Sequence, residues 1–309
     1  MFDYNTKLNE FYHESVRMKD PDKILIREYK KKNIDRIISG INKINVEENK
    51  TYPLPTFIEQ GSISMSTTNQ SEDKDYDIDV AVIFPKEGFF SNPLHARQFI
   101  ERALNKDSST FSHPPEARTN AVTVWYTEGY HVDFAIYRNY DKFGSTVYEH
   151  ASAEWLSRDP RAVTQWFLNE VSRLSPTNAK VESNQFRKVV RLLKRFCKSR
   201  LNWDLPGGFI LSILASSSFS SHNERDDIAF VSTLLNISNR LKNNRTVYNP
   251  TNGTIELTSK KRLQHQITRL VEKLDRFESK SKILFENNCT EDDAKNFYKW
   301  VFNTKEKEN

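Results

Sequence analysis

The stretch TFIEQGSISMSTTNQSEDKDYDIDVAVIFP, residues 56–85, decides the fold of this chain. Its composition predicts a short strand over Thr56–Gln60, a turn at Gly61 and Ser62, a long polar loop, and a second strand that stops at a proline. A strand, a tight turn and an acidic strand in this order indicate a functional site built on a sheet.

The second strand of this stretch begins with two aspartates. Because successive side chains alternate across a strand, Asp77 and Asp79 share one face. The opposite face is apolar and is expected in the core: Ile78, Val80, Val82 and Phe84. Carboxylates at this spacing repel each other unless a cation lies between them. With no His or Cys near them in the motif, they suit Mg²⁺ or Mn²⁺ better than zinc.

The loop before this strand offers other acidic pairs, Asp73 with Asp75 and Asp75 with Asp77. An acidic pair at the end of a polar loop is also common where a strand simply starts in solvent. We favour Asp77 and Asp79 because a β-branched apolar residue follows each of them, as a strand with one buried face requires.

A further carboxylate lies on another predicted strand, Tyr130–Tyr137 (YHVDFAIY), where Asp133 alternates with apolar residues. The two strands match, since an alanine follows Asp79 by two residues (Ala81) and another follows Asp133 by two (Ala135). These small side chains are expected to leave room for ions and a triphosphate. The preceding run, residues 120–126, is predicted to form a hairpin with this strand.

Helical spacing of apolar residues predicts a long helix from about Asp20 to Ile44, with an apolar face of Ile24, Ile34, Ile37, Ile38 and Ile41. The serine-rich tract Ser216–Ser221 is expected to be a loop. Further helices are predicted over Asn92–Asn105, Glu149–Leu156, Arg161–Leu174, Asn184–Arg200, Phe209–Ala215, Asp226–Leu241, Gln264–Glu278 and Asp292–Val301.

Composition excludes several classes of protein. No apolar run approaches the roughly 18 residues that span a bilayer, and the first residues are too polar for a signal peptide, so we expect a cytoplasmic protein. The two cysteines, Cys197 and Cys289, lack zinc-ligand spacing. The net charge of +5 fits either nucleic acid or nucleoside triphosphates and does not decide between them.

The order of these motifs resembles the polymerase β-like nucleotidyltransferases. Within that superfamily the chain resembles the bacterial cGAS/DncV-like nucleotidyltransferases (CD-NTases), which make cyclic oligonucleotide messengers in antiphage signalling (CBASS). The resemblance extends to segments that look like the helical half of that family: Trp155–Phe167, Val189–Leu214, Val247–Thr251 and Ala294–Phe302.

The resemblance implies an α+β, bilobal nucleotidyltransferase fold. Residues 1–150 would form a catalytic lobe with a mixed β-sheet and a long spine helix, and residues 151–309 a helical lobe. The activity it implies is Mg²⁺-dependent, template-free synthesis of a cyclic di- or trinucleotide from nucleoside triphosphates, with ATP and GTP expected. The product would reach a downstream effector, and neither a membrane nor a nucleic acid is an expected partner.

The resemblance also implies catalytic roles. Asp77 and Asp79 would hold two Mg²⁺ ions, for which Mn²⁺ can substitute, and Asp133 would complete the ion that faces the acceptor hydroxyl.

It implies nucleotide-binding roles for residues outside the acidic strands as well. Gly61 and Ser62 would bind terminal phosphate oxygens. Lys194, at the lysine of an Arg-x-x-Lys helix, would contact the phosphates of the donor nucleotide, with Arg191 assisting.

Two other functions stay open from the sequence. One is a related enzyme that extends RNA ends or is activated by RNA, whose affinity would fall steeply with salt. The other is a non-enzymatic nucleotide-binding or antitoxin-like protein, which would give no product from any mixture of nucleotides.

Overall fold

The computed structural model of the chain describes residues 1–106, 111, 113–175 and 184–304. These residues belong to two compact units. One is Met18–Gln165, called here the sheet unit, and the other combines Met1–Arg17 with Trp166–Asn309 and is called the helical unit.

The described α-helices are, in chain order, α1 (Asn5–Phe11), α2 (Asp20–Glu48), α3 (Gly61–Ser64), α4 (Pro93–Asn105), α5 (Ala162–Leu174), α6 (Gln185–Cys197), α7 (Gly208–Ser218), α8 (Asp226–Asn243), α9 (Lys261–Ser281) and α10 (Glu291–Phe302). The described strands are β1 (Thr56–Gln60), β2 (Tyr76–Pro85), β3 (Glu116–Ala117), β4 (Val122–Trp125), β5 (Tyr130–Lys142), β6 (Ser145–Ala151), β7 (Trp155–Ser157), β8 (Tyr248–Asn249) and β9 (Asn252–Glu256).

The sheet of the sheet unit has the strand order β1-β2-β5-β4-β3, and β6 pairs with both β5 and β7. β2 and β5 run parallel, whereas their other neighbours are antiparallel. The parallel pair requires a crossover, which the chain makes through α4, β3 and β4. The expected α+β fold with a mixed sheet is confirmed.

The core of the sheet unit lies between the sheet and helices α2 and α4. The apolar face predicted for β2 is completely buried, at 0% exposure for Ile78, Val80, Val82 and Phe84. The helix predicted from Asp20 is confirmed as α2, but Ile24 is 60% exposed and Ile26 is buried in its place. The core-facing stripe of α2 therefore starts on a different residue from the one that the spacing predicts.

The predicted helix over Glu149–Leu156 is wrong. The chain there forms the end of β6 and then β7. The physical reason is that β5 runs on to Lys142 and reverses through Phe143 and Gly144, both with positive φ, so β6 acquires a ready hydrogen-bonding partner. Tertiary pairing outweighs local helical preference at this point.

The loop expected over Ser216–Ser221 also differs in part, because its first three residues complete α7. The other helices predicted from the sequence are present, with ends that shift by a few residues. One of them is the helix predicted over Asn92–Asn105: α4 starts at Pro93, and the side chain of Asn92 accepts hydrogen bonds from the Leu94 and His95 amides at 2.8 and 3.3 Å.

The helical unit includes the first residues of the chain. The Tyr4 amide donates to Asp227 on α8 at 3.0 Å, and the Asp226 amide donates to the side chain of Asn5 at 2.8 Å. Residues 1–17 thus belong to the helical unit. The division into domains at residue 150 stays a prediction.

None of the helices in the described part of the chain combines the length and the apolar character needed to cross a membrane.

Candidate active site

The two acidic strands are neighbours in the sheet. Asp79 on β2 pairs in register with Asp133 on β5, and Asp77 pairs with His131. One carboxylate oxygen from each of Asp77, Asp79 and Asp133 lies within 4.8 Å of the others. The structure thus brings together the three aspartates that the sequence singled out, in an arrangement that can bind a metal ion.

Burial makes this cluster electrostatically unfavourable without a cation. Asp77 is exposed, while Asp79 and Asp133 are half-buried. Burial, together with the neighbouring Asp77 and Asp133, raises the pKa of Asp79 to about 7. The pKa of Asp133 is also raised, because burial and Asp77 outweigh the hydrogen bond from Thr123. A divalent cation would remove this repulsion, and the donor set of hard oxygens fits Mg²⁺ or Mn²⁺.

Thr123 is a site residue that the sequence reasoning missed. It lies on β4 in register with Asp133, is 3% exposed, and donates from Oγ1 to Asp133 Oδ1 at 2.5 Å. This bond orients the third carboxylate from the strand beside it. The signal was present in the sequence, since a polar residue lies between two valines in the strand predicted to pair with the one that carries Asp133.

Gly61 is required by the position of Asp79. Its φ is +68°, in the left-handed region, and a Cβ atom built on it would lie 1.8 Å from Asp79 Oδ2. Gln60, the residue before it, pairs in register with Asp79. The backbone of the turn therefore lies directly against the buried carboxylate.

Ser62 follows in the first turn of the one-turn helix α3, so the predicted Gly-Ser turn continues as a short helix. Its hydroxyl is hydrogen-bonded to the hydroxyl of Thr68 at 2.7 Å, and its carbonyl accepts from the Thr67 amide at 2.7 Å. These contacts anchor the start of the polar loop next to the turn.

Although the motif itself contains no histidine, the fold brings His131 close to the acidic cluster. His131 is on the same face of β5 as Asp133, and its Nδ1 lies 3.8 Å from Asp75 Oδ1. The cause is the register of the parallel pair, which places His131 opposite Asp77. In the described part of the chain, the carboxylates close enough to share one ion are still the three aspartates.

The two alanines that follow the aspartates, expected to leave room for ions and a triphosphate, differ in burial: Ala81 is buried and Ala135 is half-buried. Ala81 is fully buried in a small apolar cluster with Ile83 and Tyr137, against which Ala135 packs. Beyond Asp79, the same face of β2 is therefore covered by packed side chains.

The two predicted phosphate-binding residues outside the sheet unit lie on α6 of the helical unit. Arg191 is buried and donates to the Tyr12 hydroxyl. Lys194 is half-buried and lies beside Gly208, where an added Cβ would approach its Cε to 3.0 Å. Their role towards a nucleotide stays a prediction.

Comparison with known proteins finds a family model that matches the segment carrying this site. Residues 55–137, which contain the three aspartates and the Gly-Ser turn, match the family model for the cyclic GMP-AMP synthase DncV-like nucleotidyltransferase domain.

Solved structures with the same fold cover between 79% and 97% of the chain. CdnC of E. coli MS115-1 with ATP has a TM-score of 0.70 and 14% identity, over 97% of this chain and 98% of CdnC. The Vibrio cholerae di-nucleotide cyclase DncV with GTP has a TM-score of 0.72 and 15% identity, over 97% and 94% of the two chains. The CD-NTase CdnG of Bradyrhizobium diazoefficiens with GTP has a TM-score of 0.56 and 16% identity, over 79% and 85%. The resemblance drawn from the sequence is thus confirmed for the nucleotidyltransferase domain over residues 55–137 and for the fold.

Proposed function

We propose that the chain is a nucleotidyltransferase, as the match of residues 55–137 to a DncV-like nucleotidyltransferase domain supports, and that it joins nucleoside triphosphates, without a template and with release of pyrophosphate, into a cyclic di- or trinucleotide messenger. The observation that carries the proposal is the convergence of Asp77, Asp79 and Asp133 within 4.8 Å on two parallel strands. Cyclisation would follow when the linear product turns and presents its other end to the same site.

The three carboxylates would hold two Mg²⁺ ions, with Mn²⁺ as a substitute. When bound, such ions supply positive charge against the triphosphate and lower the pKa of the acceptor hydroxyl. The chain's own residues orient this chemistry: Thr123 fixes the rotamer of Asp133, and Gly61 lets the backbone approach Asp79.

Phosphate binding is proposed for two parts of the chain. Ser62 and its backbone amide follow Gly61 and lie next to the carboxylates, so they would bind terminal phosphate oxygens. On α6, Lys194 would contact the phosphates of the donor nucleotide. Arg191 would assist mainly by its charge, because its guanidinium is buried against Tyr12.

ATP and GTP are the proposed substrates. The structures that share this fold include CdnC with ATP, DncV with GTP, and a DncV mutant with both nucleotides. By the family resemblance drawn from the sequence, the product would act on a downstream effector in antiphage defence.

The test is incorporation of labelled nucleotide by the purified chain, with all four triphosphates and Mg²⁺ or Mn²⁺, followed by mass spectrometry of phosphatase-resistant products. We expect Asp77→Asn, Asp79→Asn and Asp133→Asn each to reduce synthesis by at least about 1,000-fold, because each removes a ligand whose charge the triphosphate chemistry needs. The matched control is Asp73→Asn, an exposed loop aspartate outside the cluster, which should leave synthesis unchanged.

Three outcomes would contradict the proposal. Full synthesis by the cluster variants would refute the site. Products that appear only with an RNA primer or RNA activator would favour an RNA-dependent enzyme, with affinity that falls steeply with salt. No product from any nucleotide mixture would favour a nucleotide-binding protein without catalytic activity.

A further inference from the structure

A hydrogen-bonded network outside the acidic cluster is centred on Asp22, the third residue of α2. Its Oδ1 accepts from the Tyr130 hydroxyl at 3.0 Å. Its Oδ2 accepts from the Gln70 amide nitrogen at 2.9 Å and lies 3.2 Å from the Tyr76 hydroxyl. One carboxylate thus receives hydrogen bonds from three separate segments of the sheet unit.

Two of these partners are the first residues of the acidic strands. Tyr76 precedes Asp77 on β2, Tyr130 begins β5, and the two tyrosines pair in register. Both rings are at most 1% exposed, and their centroids lie 5.6 Å apart. Asp22 therefore ties together the start of the two strands that carry the metal-binding aspartates.

The third partner holds the polar loop between Ser62 and Asp77. Gln70 bridges Asp22 and the Lys19 amide, which donates to Gln70 Oε1 at 2.8 Å. The Ser71 amide donates to the Tyr76 hydroxyl at 2.9 Å, so that hydroxyl belongs to the same network. The middle of the loop is fastened at Asp22 while its first residues are fastened at Ser62.

We propose that Asp22 is a positioning residue of the acidic site: by holding Tyr76, Tyr130 and Gln70, it keeps Asp77 and Asp133 at the separation that a divalent ion requires. The inference rests on the proposed function in one respect, namely that the three aspartates bind such an ion.

The network calls for a carboxylate at this position. Two ionised oxygens can accept all three donors, whereas the amide of an asparagine would present an NH₂ group to one of them. Although partial burial alone would raise the pKa of Asp22, the hydrogen bonds from Gln70, Tyr130 and Tyr76 lower it below its usual value. The charge also lies in the first turn of α2, where the helix dipole favours it.

The test is Mn²⁺ binding to the full-length chain without nucleotide, measured through the electron paramagnetic resonance signal of free Mn²⁺. We expect Asp22→Asn to weaken binding about tenfold, because one donor loses its acceptor and the loop is released. Hydrogen exchange of the amides over residues 70–77 should become faster, while exchange in α6 and α8 stays unchanged. The matched control is Asp20→Asn in the same helical turn, an exposed residue that pairs with Lys23.

A rescue variant separates positioning from a general loss of stability. Asp22→Asn combined with Gln70→Glu exchanges the amide and the carboxylate across the 2.9 Å contact. It should recover most of the Mn²⁺ affinity. In steady-state assays, Asp22→Asn should mainly raise the metal concentration needed for half-maximal activity. The KM for the nucleotide should change little.

The outcomes distinguish this inference from the proposed function. If Asp77→Asn abolishes Mn²⁺ binding but Asp22→Asn leaves both affinity and loop exchange as in the parent, the positioning role is overturned. If Asp77→Asn itself leaves Mn²⁺ binding unchanged, the proposed metal site fails instead.

Discussion

Asp79 is the residue on which the constraints of the site converge. It lies beside two other carboxylates, is half-buried, and touches the backbone at Gly61. A carboxylate in such surroundings is unfavourable in the folded chain unless a cation is bound. The same burial that weakens the folded state without metal makes the site selective for a positively charged ligand.

The pKa of Asp79 predicts a pH dependence of stability. Its folded-state pKa of about 7 lies above the ordinary 3.8, so the stabilisation from this group is complete at pH values below the ordinary pKa and is lost as pH rises through 7. In EDTA, Asp79→Asn should therefore be more stable than the parent by about 2 to 4 kcal/mol at pH 8 and show little difference at pH 4. Urea unfolding at both pH values measures this.

The control for that experiment is Asp73→Asn, whose carboxylate is outside the cluster. An equal gain for Asp79→Asn at pH 4 and pH 8 would contradict the explanation by charge. A second check is Mn²⁺ affinity of the parent chain, which should rise as pH increases through 7, because protons compete for Asp79.

Gly61 allows a sharper test, because the chain contains a matched glycine. Gly61→Ala places a Cβ 1.8 Å from Asp79 Oδ2 at φ +68°, whereas Gly88→Ala has a similar φ of +72° but meets nothing within 4 Å. In both variants, backbone strain should lower the free energy of unfolding by about 1 to 2 kcal/mol. Only Gly61→Ala should also displace Asp79 and reduce nucleotide incorporation, by about 100-fold or more. Equal activity of the two variants would show that the close approach is unimportant.

At the scale of the elements, α2 and α4 approach each other closely at Gly40. A Cβ built on Gly40 would lie 2.0 Å from the Ala103 carbonyl oxygen. Glycine usually weakens a helix interior, so its presence here is explained by the packing of two backbones. This contact seats α2 against α4 in the core beneath the sheet.

Gly40→Ala should therefore destabilise the chain, although alanine is the better helix former. Overpacking against a backbone atom is expected to lower the free energy of unfolding by about 1 to 3 kcal/mol. Asn42→Ala, on the exposed side of the same helix, should change it by less than about 0.5 kcal/mol. Thermal unfolding of both variants would decide, and a stabilising Gly40→Ala would contradict the packing described here.

On the scale of the whole molecule, the N-terminal residues belong to the helical unit. Lys188 on α6 donates to Asp226 on α8 at 2.6 Å and to Asn9 on α1 at 2.8 Å, and the lysine and the aspartate are nearly fully buried. Gln185 donates to the other oxygen of Asp226 at 2.9 Å. A satisfied buried pair of this kind fixes the start of the chain to helices that are distant in sequence.

Lys188→Met should lower the free energy of unfolding by about 3 to 5 kcal/mol, because it leaves Asp226 buried without its cation. Replacing both partners, Lys188→Met with Asp226→Leu, should recover much of this loss. The exposed pair of Lys242 with Glu278 is the control, and Lys242→Met should cause little change. Urea unfolding measures all three, and a Lys188→Met variant as stable as the parent would refute the role of the pair.

The sequence by itself determined the acidic strands, their faces and most of the helices. The two-residue alternation of apolar and polar side chains in strands and the spacing of apolar residues in helices are local properties of the sequence. The three aspartates and the buried face of β2 could therefore be predicted from the order of residues alone. The metal-binding potential followed from the chemistry of those residue types.

Only the tertiary structure decided what depends on strand register and on pairing partners that lie in other strands. The parallel pairing of β2 with β5 set His131 beside Asp77, the hairpin at Phe143 turned a predicted helix into β6 and β7, and Thr123 reached Asp133 from a third strand. Hydrogen-bonding partners of this kind are chosen by the folded sheet, because each strand satisfies its backbone through another strand and not through its own neighbours in the chain.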